Sequence, residues 1–182
     1  MPTVFGHAAL SLAGGLWYAG PRSSRRFLAL TMVCGLLPDA DVAAFHLGIS
    51  YEHVFGHRGF FHSLTFALLV GVAAALWYRR SWRLGAAGWR LALFFGAVTA
   101  SHGLTDALTN GGLGIALLSP WETTRFFFPW TPIQVSPLGI RSFFSPDGLA
   151  AVVSELRWIC LPAAGMAWLG WRRPPRAVAE DA

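Results

Sequence analysis

Lysine is absent from this chain of 182 residues, and charged residues of either sign make up only 13% of it. A soluble domain carries about 25% charged residues, so this chain lacks the polar surface that water requires. The hydrophobic fraction of 54% and the mean hydropathy of +0.48 point the same way. We therefore expect one integral-membrane domain over residues 1–172, followed by a polar tail over residues 173–182.

Cysteine is also scarce, and its placement excludes two further classes of protein. Cys34 and Cys160 each stand alone in an apolar run, so neither a CxxC metal motif nor a disulfide framework is present. The net charge of +5 comes from arginines that punctuate apolar runs instead of forming a basic stripe. This pattern argues against nucleic acid as a partner.

Five apolar segments can be drawn, over residues 4–19, 27–47, 60–78, 91–108 and 149–171. Most approach the ~20 residues that a helix needs to cross a ~30 Å hydrocarbon core. This predicts an all-α fold, a polytopic membrane bundle of about five spans. Pro38 lies inside the second segment, which either crosses fully or breaks there, because proline removes a backbone donor.

Residues 111–144 are apolar yet rich in glycine and proline, which excludes an uninterrupted helix. We expect this loop in the membrane interface, with Trp121 and Trp130 at the level of the headgroups. It would cover the outer end of the bundle as a lid or as the wall of a lipid access route. Ser145 and Pro146 are then typical of the N-cap and first turn of the fifth span.

The arginines predict the orientation of the spans. With five spans, ten of them fall on one face: Arg22, Arg25, Arg26, Arg79, Arg80, Arg83, Arg90, Arg172, Arg173 and Arg176. Three fall on the other face: Arg58, Arg125 and Arg141. The positive-inside rule then places the C-terminus in the cytoplasm and the N-terminus outside. No positive charge precedes the first apolar run, so we expect it to be retained and not cleaved as a signal peptide.

Seven residues of metal-ligand type lie at or beside the outer ends of these segments: His7, Asp39, Asp41, His57, His62, His102 and Asp106. A helical rise of ~1.5 Å per residue from the nearest cytoplasmic arginines gives one shared depth, about 18–26 Å away, for five of them: His7, Asp39, His62, His102 and Asp106. A charge at the bilayer centre costs roughly 2.5–3.5 kcal/mol, so such residues indicate function. The sequence therefore predicts a metal site in the membrane.

Spacing explains how two pairs of these residues can converge. His102 and Asp106 are four residues apart, which stacks them on one face of a helix. Asp39 and Asp41 follow Pro38 and can share a site only outside a regular helix; the alternative is a helix cap or a solvated turn. His7 stands alone and is either a ligand or a hydrogen-bonded core residue.

The stretch from Gly56 to Ser63 reads GHRGFFHS and carries His57, Arg58 and His62. Histidines five residues apart differ by roughly 140° around a helix, so both converge only if His57 lies in a loop. Arg58 either clamps a phosphate oxygen beside the metal or snorkels at the interface.

Three other ionisable residues are less tied to the site. Glu155 either supports the site from the fifth span or snorkels outward. His46 and His53 lie between the second and third segments, where we expect both to be solvated, with His53 as the exception if one of them is not.

Four imidazoles and three carboxylates exceed the ligands of one tetrahedral zinc. Two ions that share a bridging carboxylate account for the surplus, so we expect one or two divalent ions of the zinc type. The sequence contains no nucleophile elbow, P-loop or HExxH motif, so water would be the nucleophile.

In this order, these pieces resemble the membrane-bound metal-dependent hydrolase family of the YdjM type. The matching residues are His7, residues 37–41 (LPDAD), residues 56–63, and Ser101 and His102 with Asp106, which together cover about residues 1–125. The His-Arg-Gly-x-x-His-Ser stretch is the specific element. The resemblance implies an inner-membrane protein with a metal-dependent hydrolase site, distantly similar to the zinc-dependent phospholipase C and P1 nuclease group.

Together the residues and the resemblance predict a hydrolase of a phospholipid or another lipid-linked phosphoester. Six residues would be ligands: His7, Asp39, His57, His62, His102 and Asp106. Asp41 would be a seventh ligand or the general base, and Arg58 a catalytic group. One alternative is a metal-ion transporter or metal-sensing membrane protein. It needs a polar path to the cytoplasm, for which Thr31, Cys34 and Thr99 are the main groups. A second alternative is an intramembrane metallopeptidase. No protein partner is indicated.

Overall fold

The computed structural model describes residues 1–80, 84–137 and 140–173 of the protein. Within these ranges it is helical, with no β-strand beyond the isolated bridges of Thr109 with Ile133 and Ile115 with Phe126. The all-α prediction is confirmed. Arg83, Arg176 and the predicted tail after residue 173 lie outside the described residues.

The α-helices follow one another as α1 Val4–Ala19, α2 Arg25–Leu36, α3 Ala43–His46, α4 Leu64–Arg79, α5 Gly85–Ala107, α6 Ile140–Phe143, α7 Pro146–Glu155 and α8 Leu161–Trp171. Two 3-10 turns, Leu37–Val42 and Phe60–His62, precede α3 and α4. A π-helical turn, Leu156–Cys160, joins α7 to α8.

Two helical stretches among the described residues are long and apolar enough to cross a membrane. Arg25–His46 has 22 residues and Pro146–Trp171 has 26. Leu64–Arg79 is apolar but has 16 residues. α1 also has 16 residues, or about 24 Å of rise, which falls short of a ~30 Å core. The count of five spans therefore remains a prediction.

Small residues allow the helices to pack with their backbones close together. A Cβ atom on Gly71 of α4 would lie 2.3 Å from the Ala92 carbonyl oxygen of α5. A Cβ atom on Gly170 of α8 would lie 2.4 Å from the Trp17 Cα atom of α1. Such close approach is typical of helix packing in membranes, where burial of apolar surface gives no drive for association.

The regular helix of α2 ends just before Pro38, so of the two outcomes that the sequence leaves open, the structure favours the break. The helix stops at Leu36, and the chain tightens into the 3-10 turn with Pro38 in its first turn. A 3-10 turn has three residues per turn, which sends Asp39 and Asp41 in different directions. The helical stretch nevertheless resumes in α3, so the break lies inside one candidate span.

The starts of two helices test the predicted boundaries. α5 begins at Gly85, six residues before the predicted segment at 91, in a run that mixes small residues with Trp89 and Arg90. α7 begins at Pro146, where the Ser145 Oγ accepts a hydrogen bond from the Gly148 N–H. The predicted cap is thus confirmed, and the fifth segment starts earlier than residue 149.

Residues 109–137 form a cap over the end of the bundle where α5 finishes. The cap is tied down by hydrogen bonds from Ala116 N–H to the Arg58 carbonyl (3.1 Å) and from Phe128 N–H to the Ala107 carbonyl (2.9 Å). Trp121 and Trp130 are 81% and 59% exposed. The prediction that no uninterrupted helix runs here is confirmed, and its position in the membrane interface remains a prediction.

Candidate metal centre

Five separate segments bring the seven candidate ligands to one end of the bundle. They are α1, the 3-10 turn after α2, the loop before Phe60–His62, that turn itself, and α5. The residues are His7, Asp39, Asp41, His57, His62, His102 and Asp106. His57 lies in the loop, as its convergence with His62 requires.

One subset, the inner cluster, consists of His7, Asp39, His62, His102 and Asp106. The last four each offer a ligand atom within 4.8 Å of the others. His102 Nε2 lies 3.2 Å from Asp39 Oδ1, and His62 Nε2 lies 3.2 Å from Asp106 Oδ2. His7 Nε2 lies 3.6 Å from Asp106 Oδ1. Around a tetrahedral zinc, ligand atoms stand about 3.3–3.4 Å apart, so this spacing suits one ion.

The ligand atoms of the inner cluster are buried and have no hydrogen-bond partner in the described part of the chain. They are His7 Nε2, His62 Nε2, His102 Nε2 and both carboxylate oxygens of Asp39 and Asp106. Each unpaired buried polar group costs about 1–3 kcal/mol. A divalent cation at their centre would satisfy these groups together, which makes the donor set a good fit to a metal.

Hydrogen bonds on the far side of two imidazole rings aim their Nε2 atoms at this centre. His102 Nδ1 lies 2.8 Å from the Gly35 carbonyl oxygen, to which it donates. His7 Nδ1 lies 3.3 Å from Thr105 Oγ1, and the Thr105 hydroxyl in turn donates to the His102 carbonyl at 2.8 Å. A carbonyl oxygen can only accept, so His102 carries its proton on Nδ1 and keeps the Nε2 lone pair free, while Thr105 contacts His7 from the corresponding side of its ring. Such outer partners set the tautomer of metal-binding histidines.

Asp41, His57 and His62 form a second subset, the outer cluster. His57 Nδ1 lies 2.7 Å from Asp41 Oδ1, and the Arg58 N–H donates to Asp41 Oδ2 at 3.1 Å. A separation of 2.7 Å is a hydrogen bond and is shorter than the spacing of two ligand atoms on one ion. His62 Nδ1 lies 3.1 Å from Asp41 Oδ2.

A neutral imidazole has only one lone pair, so His62 can serve only one of the two clusters as a ligand. The geometry favours the inner cluster, with Asp41 orienting His57 and His62 from behind. The ligand roles of Asp41 and His57 remain predictions.

Arg58 lies entirely inside the protein, so the snorkelling alternative is wrong. It is 0% exposed, and its Nε lies 3.2 Å from Asp106 Oδ2 as an ion pair without an aligned hydrogen bond. Nη1 donates to the Gly111 carbonyl at 2.8 Å, and Nη2 donates to Thr109 Oγ1 at 3.1 Å. Its φ of +62° is left-handed, which costs roughly 1–2 kcal/mol for a residue with a Cβ atom. The role as a phosphate clamp remains a prediction.

Arg125 of the cap holds the loop that carries His57, a role that the sequence does not indicate. Its Nη1 donates to the His57 carbonyl at 2.7 Å, and its Nη2 donates to the Tyr51 carbonyl at 2.8 Å. Burial lowers the pKa of this guanidinium. The sequence also does not indicate the roles of Thr105 and Gly35, which contact the imidazole rings of His7 and His102. Of the two, only Thr105 carries a signal, because it lies three residues after His102.

Three ionisable residues that the sequence places outside the seven candidate ligands differ in their exposure: His46, His53 and Glu155. His46 and His53 are exposed, and that both are solvated stays a prediction, because His46 is the last residue of a candidate membrane span. Glu155 is 3% exposed, so outward snorkelling is wrong. Its carboxylate accepts hydrogen bonds of 2.5 Å from the N–H and the hydroxyl of Thr3, at the start of the helix that carries His7.

The chain matches the family described as "YdjM inner membrane protein" over residues 1–174. It belongs to the YdjM family. One relative, "Inner membrane protein YbcI" of Escherichia coli (strain K12), is 42% identical over 176 residues, which cover 95% of this chain and 99% of the relative. No solved structure matches the chain.

Membership of the YdjM family confirms the resemblance seen in the sequence and places this protein in the inner membrane as an integral protein. The large apolar side chains on its surface agree with that location. Leu68, Leu161 and Trp168 are each exposed by half or more, and lipid would cover them.

Proposed function

We propose that this YdjM-family protein is a membrane-embedded metal-dependent hydrolase that acts on a phospholipid or another lipid-linked phosphoester. The observation that carries the proposal is the convergence of buried, unpartnered imidazole and carboxylate atoms in the inner cluster. Burying such a group without a cation costs free energy. The exclusion of water from the site also lowers the local dielectric constant, which strengthens the electrostatic interactions there.

The donor set favours zinc among divalent ions. Three imidazole nitrogens and two carboxylates are the ligand types that zinc takes in catalytic sites, where it keeps one position open. When bound, such an ion supplies Lewis acidity for the hydrolysis of a phosphoester. We expect one or two ions, with His7, Asp39, His62, His102 and Asp106 as the principal ligands.

The protein residues position the reacting groups. Asp39 has the most exposed side chain of the inner cluster, at 9% against 0–1% for the others, so a substrate would reach the centre past it. Asp41 holds His57 by a hydrogen bond and is the candidate general base. The exposed Trp121 of the cap suits the headgroup level, which brings a lipid substrate to this end of the bundle.

A metal-ion transporter or sensor would use the same ligands but needs a polar route through the other half of the bundle. The candidate groups there turn to their own helices: Thr31 donates to the Phe27 carbonyl, and Thr99 to the Phe95 carbonyl. Phe27 and Phe95 are 0% exposed and fill the core between them. This packing favours the hydrolase. An intramembrane peptidase would apply the same metal-dependent hydrolysis to an amide bond. Assays with phosphoester and amide substrates distinguish these two activities.

The first experiment is elemental analysis of the protein purified in detergent, beside the double variant His62→Ala/His102→Ala. We expect one or two equivalents of zinc in the unmodified protein and none in the variant. The matched control is His46→Ala/His53→Ala, which removes two exposed histidines outside the site and should leave the metal content unchanged.

Cleavage of phospholipid in mixed micelles then tests the reaction. A well-folded protein without metal would discard the hydrolase. Bound metal with neither phosphoester nor amide cleavage would leave the transporter or sensor as the better proposal.

A further inference from the structure

We infer that Arg58 takes the place of a second metal ion, so that the centre holds a single divalent ion and Arg58 positions its two flanking carboxylates. The inference rests on the proposed metal centre. It assigns to Arg58 a fixed structural charge instead of contact with the substrate.

The guanidinium of Arg58 lies where a second ion would contact Asp106. In two-metal sites the ions stand about 3.5–4 Å apart and share a bridging carboxylate. The groups that could bridge here are Asp106 and Asp41, on either side of His62. The Arg58 guanidinium Nε lies 3.2 Å from Asp106 Oδ2, and the backbone N–H of Arg58 donates to Asp41 Oδ2 at 3.1 Å. The Asp106 side of a second ion's place is therefore already taken by a cation, and Asp41 is held by the backbone of the same residue.

The formal charges of the site balance with a single divalent ion. The site contains the three carboxylates of Asp39, Asp41 and Asp106 and one guanidinium, that of Arg58, which pairs with Asp106; their formal charge is −2 while the imidazoles are neutral. One divalent ion neutralises this buried charge, and two would leave an excess of +2. Glu155 bonds to Thr3 and lies outside this set, and Arg125 is partly exposed, where water screens its charge.

The side chain and the backbone of Arg58 are both held in place by neighbouring residues. The guanidinium is held from its other side by the Gly111 carbonyl and the Thr109 hydroxyl. The backbone at Arg58 is left-handed, with φ of +62°, and its carbonyl accepts from the Ala116 N–H of the cap. A strained residue persists only where its surroundings hold it, and such residues concentrate at functional sites. Arg58 is thus fixed before any ion binds.

The test is a titration of the metal-stripped protein in detergent with Co²⁺, followed by its visible absorption and by elemental analysis after desalting. We expect the unmodified protein to saturate at one equivalent. Arg58→Ala keeps a Cβ atom, so its backbone strain is unchanged, but it frees space and one charge; we expect it to bind a second equivalent. Arg58→Lys restores the charge and should return to one equivalent with an altered absorption spectrum.

If Arg58 were needed only for folding, its substitution would lower the number of Co²⁺ equivalents bound and would not raise it. Two equivalents in the unmodified protein would overturn the inference while leaving the metal centre intact. One equivalent in Arg58→Ala with an unchanged spectrum would also overturn it. If Arg58→Ala does not fold, the stoichiometry of the unmodified protein and of Arg58→Lys decides. No Co²⁺ bound by the unmodified protein would instead remove the proposed function.

Discussion

Gly112 shows how tightly the surroundings of a single guanidinium are packed. Its φ is +92°, and a Cβ atom there would lie 2.7 Å from Arg58 Nη1 and 2.8 Å from the Tyr51 hydroxyl. The chain offers a matched position in Gly48, which has φ of +72° and no atom within 4 Å of a built Cβ. The two glycines share the backbone preference and differ only in their neighbours.

We predict that Gly112→Ala weakens metal binding by about 10-fold to 100-fold, the usual loss when a partner of a ligand is disturbed. Both Gly112→Ala and Gly48→Ala should lose about 1–2 kcal/mol of stability, because alanine resists a left-handed backbone. Competition with a coloured zinc chelator measures the affinity. Equal affinities in the two variants would show that Arg58 does not position the ligands.

That the seven candidate ligands come together could be predicted residue by residue, because each lies at the end of an apolar segment. The separate role of each of the seven residues could not be predicted from the sequence. Whether an aspartate binds an ion or a histidine depends on distances of a few tenths of an ångström, as between Asp41 and His57 at 2.7 Å. Nor could the burial of Arg58 be foreseen, since its partners Thr109 and Gly111 lie some fifty positions away in the chain.

At the scale of the elements, α1 depends on a carboxylate from another helix. Thr3 is the N-cap of α1, and both its N–H and its hydroxyl donate to Glu155, the last residue of α7. The π-helical turn that follows Glu155 widens the helix at this point, as such turns often do at functional sites. The position of His7 thus depends on a contact between α1 and a residue of α7 that lies 152 positions after Thr3 in the chain.

We predict that Glu155→Leu lowers the stability by about 1.5–3 kcal/mol, the usual worth of hydrogen bonds to a charged group. It should also weaken metal binding through His7. Thermal unfolding in detergent, with and without zinc, gives both quantities. Glu155→Gln keeps an acceptor oxygen and should recover part of the loss, and the exposed Glu122→Gln should match the unmodified protein. An unfolding temperature of Glu155→Leu equal to the unmodified one would contradict this role.

Helix boundaries were predictable where a strong local signal exists. Pro38 ends α2 by removing a donor, and Ser145 caps α7 with its hydroxyl. The early start of α5 at Gly85 was missed, because an apolar segment records what faces lipid and not where the backbone becomes helical. The count of spans is harder, since α1 and α4 are shorter than a typical membrane core.

At the scale of the whole molecule, arginines gather at the end opposite the site. Arg26 Nη2 donates to the Trp77 carbonyl at 3.1 Å, and the Arg173 guanidinium lies 4.4 Å from the Trp17 ring. Arginine and tryptophan together are typical of the membrane interface, and arginine favours the cytoplasmic side. The site would then face away from the cytoplasm.

We predict that a cysteine at position 122 reacts with a membrane-impermeant maleimide in intact cells, in a background where Cys34 and Cys160 are alanine. A cysteine at position 172 should react only after the membrane is permeabilised, because it lies at the arginine end. The reverse pattern would place the site on the cytoplasmic side and rule out an outer-leaflet substrate.

The dispersal of the ligands along the chain has a consequence for assembly. No fragment that ends before residue 106 contains the whole inner cluster, so an ion at the proposed centre could bind only after α1, α2, α4 and α5 have all come together. Because the ligand side chains are at most 9% exposed, such an ion would exchange slowly with solvent, past Asp39. Under the proposed function, metal binding would therefore stabilise only the fully assembled bundle.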